Sequence, residues 1–89
     1  MIIVTDNHRI ATDNQRYTPQ YKPIGTDPED KNSWIAIGST ADLESALDMI
    51  CEYETRIRIL TNSDPVSLAE AFQIRSQVYR EFQDLTEGE

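Results

Sequence analysis

Glu44, Asp48 and Glu52 stand four residues apart, and Asp42 lies just before them. On a helix that spacing stacks the three carboxylates in a row, about 6 Å apart along the axis. Such a row imitates the phosphates of a nucleic acid. The chemistry it offers is electrostatic: it attracts a basic protein groove. Arg56 continues the row and is expected to pair with Glu52. The lone histidine, His8, falls in or beside a predicted turn and reads as a surface residue, with no nucleophile or acid marked out for it. Cys51 is the only cysteine, which excludes an intrachain disulfide and a cysteine cluster for metal. Its neighbours at helical spacing, Leu47, Asp48, Glu54 and Thr55, do not activate a thiol, so it reads as a small buried hydrophobe. The acidic stretch Asp27-Pro28-Glu29-Asp30 lacks the spacing and central glycine of a calcium loop. Gly25, Gly38 and Gly88 are scattered singly, so no phosphate-cradling loop exists. No catalytic group, cofactor site or metal site is expected, and the chain reads as a non-enzyme.

The composition supports an electrostatic role. The chain has 89 residues, with 8 Lys plus Arg against 16 Asp plus Glu, a net charge of −8. Residues 1–38 carry five acids and four bases, whereas residues 39–89 carry eleven acids and four bases. Such a surface repels phosphate backbones and attracts proteins that bind them. Direct nucleic-acid binding is not expected. Apolar runs are only a few residues long, against about 20 for a membrane span. The N-terminus has neither the basic start nor the apolar core of a signal peptide, and a cytoplasmic location is expected.

The elements that must position these residues are strands followed by helices. Ile2–Thr5 is β-branched throughout, and Thr5-Asp6-Asn7 is echoed by Thr12-Asp13-Asn14. Asp-Asn pairs tolerate left-handed backbone and make Asx turns, so two consecutive hairpins are predicted, with His8–Thr12 between the turns. A third strand is predicted over Gln15–Lys22, with Tyr17, Pro19 and Tyr21 on one face and Pro19 arguing for a sheet edge. Pro23–Asn32 reads as a loop and Ser33–Ile37 as the last strand, with Trp34 as a core or half-core anchor. Ser39 or Thr40 is expected to cap a helix whose stripe is Leu43, Leu47, Ile50, Glu54 and Ile57, ending near Ile59. Asp64-Pro65 predicts a second helix start. Leu68, Ala71, Phe72, Val78, Tyr79, Phe82 and Leu85 form its stripe. The expected fold is one α+β domain over 1–89. A small antiparallel sheet (1–38) packs against a helical hairpin (39–85), and 86–89 fray. The second helix offers Gln73, Arg75, Gln77 and Arg80 to DNA, but Glu70, Glu81, Asp84 and the net charge oppose docking.

Ile3-Val4-Thr5-Asp6-Asn7-His8-Arg9-Ile10 with Thr12-Asp13, then Trp34-Ile35-Ala36-Ile37-Gly38 with Leu43-Glu44-Ser45-Ala46-Leu47, carry a further signal. With Ile57-Arg58 and Ser67-Leu68-Ala69-Glu70-Ala71-Phe72 they resemble a family of short accessory proteins encoded by phages and prophages, mostly of Gram-positive hosts. The resemblance covers roughly residues 2 to 82. Family members usually carry a tyrosine where this chain has Ser39, and a more basic linker than Pro23–Asn32. The family has no assigned activity. The resemblance implies a mobile-element protein acting inside a bacterium.

Together these readings lead to an inhibitor, anti-CRISPR-like in type, of a host protein with a basic nucleic-acid-binding surface. Its expected contacts are Asp42, Glu44, Asp48 and Glu52, with Tyr17 and Tyr21 as exposed aromatics of the sheet. The alternative is a scaffolding or regulatory protein that forms a homodimer through leftover apolar surface such as Tyr53, Ile59 and Leu60.

Overall fold

The computed structural model describes residues 1–27 and 29–87. Strands β1 (Ile2–Thr5), β2 (His8–Thr12), β3 (Tyr17–Tyr21) and β4 (Ile35–Ala36) precede helices α1 (Leu43–Leu60) and α2 (Leu68–Glu87). The strands form one antiparallel sheet in the order β1-β2-β3-β4, an α+β architecture.

The two Thr-Asp-Asn echoes both make turns, by different means. At the first, Thr5 Oγ1 accepts from the Asn7 N–H at 3.1 Å and lies 2.7 Å from His8 Nδ1. The β1–β2 ladder shifts register between Ile3 and Thr5. At the second, the Asp13 carboxylate accepts from the Gln15 and Arg16 N–H groups, both at 2.8 Å. That is an Asx turn. The left-handed backbone that Asp-Asn tolerates is not used. Among the described residues only Gly25 has a positive φ, 90°.

β3 is not an edge strand: it pairs with β2 on one side and β4 on the other. Pro19 is tolerated there for a local reason. A strand residue's N and C=O point to the same side, and the Pro19 carbonyl accepts from Ile37 N–H at 2.8 Å. The missing donor therefore faces the β4 side, just past the end of a two-residue strand, and the β2 ladder is intact.

Four boundaries differ from the sequence expectation, the first being β3, which is shorter than Gln15–Lys22. Lys31–Ser33 form a 3-10 turn, with the Asp30 side chain accepting from Asn32 N–H at 2.9 Å, so the last strand is shorter than Ser33–Ile37. Thr40 exchanges two backbone hydrogen bonds with Tyr17, at 2.7 and 2.9 Å, and does not cap α1. Asp42 does, accepting from the Ser45 N–H and hydroxyl at 2.8 and 2.9 Å. α2 begins at Leu68, not at Asp64-Pro65, because Ser67 Oγ accepts from Glu70 N–H at 3.1 Å. Ser67-x-x-Glu70 is a capping-box sequence, and it prevails over the upstream Asp-Pro signal. Of the tail expected to fray, 86 and 87 continue α2, while Gly88 and Glu89 lie outside the described residues, as does Pro28 of the acidic loop.

The chain divides into two units, Met1–Ile50 and Cys51–Glu89, with the boundary inside α1 and not at Gly38–Ser39. In the first unit Ile10, Pro19, Ala46 and Ile50 are buried, together with His8 and Lys22. His8 is thus no surface residue. It faces Tyr21 in register, on the same sheet face as Ile10 and Pro19, with the two rings 5.4 Å apart. In the second unit Cys51, Thr55, Val78 and Phe82 are buried, and Thr55 satisfies its hydroxyl on the Cys51 carbonyl at 2.8 Å.

The helical hairpin is corrected too. In an antiparallel pair, partners step in opposite directions along the two helices. Here Glu52 meets Arg75 and Arg58 meets Glu81, so partners advance in the same direction. α1 and α2 therefore run in the same direction where they meet within the second unit, joined by residues 61–67. The apolar stripe of α2 is consequently covered only in its middle. Val78 is fully buried, while Leu68, Phe72 and Leu85 are 74%, 57% and 48% exposed.

Candidate functional site

The start of α1 concentrates the carboxylates that the sequence singles out. Asp42 is the helix cap, and the Ser45 N–H and hydroxyl hold its carboxyl below the usual aspartate range. It stays ionised and exposed, but its oxygens already accept two hydrogen bonds. Glu44 follows in the first turn, where the positive helix end favours an anion. Asp48 is one turn further on. Both are exposed, and neither has an ion-pair partner among the described residues.

Glu52 behaves differently. Arg75 Nε lies 2.5 Å from its Oε1, and the Tyr79 hydroxyl donates to the same oxygen at 3.3 Å. Arg75, not Arg56, is therefore its partner. That hydrogen bond holds the Arg75 guanidinium proton more tightly than usual. The Arg56 guanidinium lies over the Tyr53 ring at 5.6 Å instead. The carboxylates available to a partner at this end of α1 are Glu44 and Asp48, with Asp42 beside them.

The aromatic contribution is corrected as well. Tyr17 and Tyr21 are half-buried, not exposed. Strand pairing puts Tyr21 opposite His8, Pro19 opposite Ile10 and Tyr17 opposite Thr12, which is the face carrying the buried Ile10 and Pro19. Alternation aligned Tyr17, Pro19 and Tyr21 on one face, and the burial of Pro19 and Ile10 shows that face to be the inner one.

Three cations of the first unit are directed away from carboxylates. The Arg9 guanidinium sits over the Trp34 ring at 4.0 Å and its Nε donates to Gln20 Oε1 at 2.5 Å. Arg16 donates to the Ser39 hydroxyl at 2.6 Å and carbonyl at 3.2 Å. Lys22 is buried, with Nζ donating to the Thr26 carbonyl at 2.9 Å. None of these cations reaches a carboxylate. This diversion was missed in the sequence, although β2–β3 alternation does place Arg9 opposite Gln20.

In the second unit the ion pairs are internal. Arg58 makes a two-pronged contact with Glu81, at 2.7 and 3.2 Å, and a further contact with Glu54 at 3.3 Å. The guanidinium holds the Glu81 carboxyl below its ordinary range, and Glu81 in turn holds the Arg58 proton. Among the described residues, no three His, Cys, Asp or Glu side chains group as a metal site requires. No described helix is long and apolar enough to cross a membrane. No family model, curated protein or solved structure matches the chain.

Proposed function

We propose that the protein is a non-enzymatic accessory protein of a phage or prophage. In this reading it binds a host nucleic-acid-processing protein in the bacterial cytoplasm and inhibits it, in the manner of an anti-CRISPR or other anti-defence protein. The first turns of α1 enter a basic groove that otherwise holds nucleic acid. The observation that carries the reading is the pair Glu44 and Asp48, exposed and without an ion-pair partner among the described residues, in a unit whose Arg9, Arg16 and Lys22 are directed at a ring, an amide, a hydroxyl and carbonyls. Asp42 adds a neighbouring carboxyl held below the usual aspartate range by the Ser45 N–H and hydroxyl. Glu52, Tyr17 and Tyr21 support the fold and are not contact residues in this reading.

The test is affinity capture from bacterial lysate with the tagged protein, eluted in salt steps, beside the double variant Glu44→Lys, Asp48→Lys. The expected result is a nucleic-acid enzyme released at moderate salt by the wild type and absent from the variant. Equal capture by both proteins would refute the site. Restored nuclease or polymerase activity on adding the variant in place of the wild type would separate inhibition from mere binding.

A further inference from the structure

Arginines in this chain seek aromatic rings. Arg9 covers Trp34 at 4.0 Å, Arg75 covers Tyr79 at 4.8 Å and Arg56 lies 5.6 Å from Tyr53. Arg16 is held by Ser39, and Arg58 by two glutamates. Arg80 is the arginine left over, exposed on α2, and Phe72 is an aromatic left 57% exposed on the same helix. The two line one shallow groove, with Gln73, Ser76 and Gln77.

The order of these residues has a symmetry. Phe72 and Arg80 lie four residues either side of Ser76, about 6 Å along the axis in each direction. Two copies of α2 packed antiparallel about Ser76 place each Arg80 against the partner copy's Phe72. The small Ser76 at the centre lets the backbones approach. The groove residues include no carboxylate, in a chain with net charge −8, so two copies can meet here without opposing acids. A second copy of the same strip offers a ring to Arg80 and a guanidinium to Phe72, each one turn from the small Ser76.

We propose that a second copy of this chain occupies the α2 groove, forming a two-fold antiparallel dimer centred on Ser76 with reciprocal Arg80–Phe72 contacts. A single helix-on-helix contact lies near or below the low end of specific interfaces, about 1,200 Å² in total. The dimer is therefore concentration-dependent and not obligate. This interface is separate from the α1 carboxylates and stands without them.

Sedimentation equilibrium over a wide concentration range tests it, with Arg80→Glu and Phe72→Ala beside the wild type. Both positions are exposed, and circular dichroism checks that the helices persist. Each substitution removes two symmetry-related contacts at once, so the dimer constant should weaken about tenfold. Under mild oxidation Ser76→Cys should cross-link to itself, while Glu70→Cys, off the groove, should not. A monomer at all concentrations with no Ser76→Cys cross-link would overturn the proposal. So would a dimer indifferent to both substitutions, whose interface would then lie elsewhere.

Discussion

Replacing an exposed contact residue normally leaves stability unchanged or lowers it. Asp48→Lys should do the opposite. Glu44 and Asp48 are exposed, lie four apart on α1 and have no ion-pair partner among the described residues. Like charges at that spacing cost a helix about 0.2–0.5 kcal/mol, and a glutamate four residues before a lysine contributes about as much with the opposite sign. The electrostatic swing is thus about 0.4–1 kcal/mol. Lysine is also the better helix former, by about a few tenths of a kcal/mol, a part that salt leaves untouched. In a chain this short each kcal/mol moves Tm by about 4–8 °C, so the gain at low salt should be about 3–8 °C. Thermal melts followed by circular dichroism at low salt and at 1 M salt read both parts. At about 1 M the screening length is about 3 Å, and the electrostatic part should vanish. The same variant should bind the host partner more weakly. A lower Tm at low salt, or a gain identical at both salts, would refute the argument that these two carboxylates face each other unpaired.

Glu81→Gln tests the second unit through pH. Arg58 holds the Glu81 carboxyl below its ordinary value of 4.5, so around that pH the folded chain binds fewer protons than the unfolded one. The stabilisation is complete above the ordinary value and is lost as pH falls through the lowered one. Denaturant midpoints should therefore fall on acidification, and less steeply in Glu81→Gln; the residual slope belongs to carboxyls such as Asp13 and Asp42, lowered by backbone N–H groups. Ser67→Ala should cost about 1 kcal/mol by urea unfolding, the usual value of a lost helix cap, whereas Asp64→Ala should be nearly neutral, since α2 starts after it.

Much of the fold was legible because its signals are local. β-branched Ile2–Thr5, the Asp13 turn and the stripe of α2 each follow from neighbours in sequence. The misjudged features are those decided by competition or by distant partners. Thr40 is an adequate cap in isolation, but its backbone pairs with Tyr17, far away in sequence. Asp64-Pro65 is a sound helix start, yet Ser67 and Glu70 compete for the same role three residues later. Pro19 implied an edge, and only the shortness of β4 makes an interior place tolerable. For the candidate site, helical spacing located Glu44 and Asp48 but could not show that Arg75 claims Glu52. Nor could it show which face of β3 is inner. Period-two alternation separates two faces without saying which one is covered.

The two units carry the same formal charge, eight acids against four bases in each of 1–50 and 51–89. A distant ion would not distinguish them. A partner in contact would, because screening at physiological salt limits each charge to about 8 Å. Within that range the second unit offers carboxylates that already hold guanidinium groups: Glu52 with Arg75, and Glu54 and Glu81 with Arg58. A basic groove docking at Glu52, Glu54 or Glu81 must displace an internal arginine before it gains a contact, whereas the exposed Asp64, Glu70 and Asp84 stand apart from one another. At Glu44 and Asp48 no ion pair among the described residues has to be displaced, and Arg9, Arg16 and Lys22 of the same unit are held by Trp34, Ser39 and Thr26. The distribution of cations, more than the number of acids, therefore selects the start of α1 as the surface for a basic partner. It follows that freeing an arginine of the first unit, as Trp34→Ala together with Gln20→Ala would free Arg9, should weaken partner binding without any change in the carboxylates themselves.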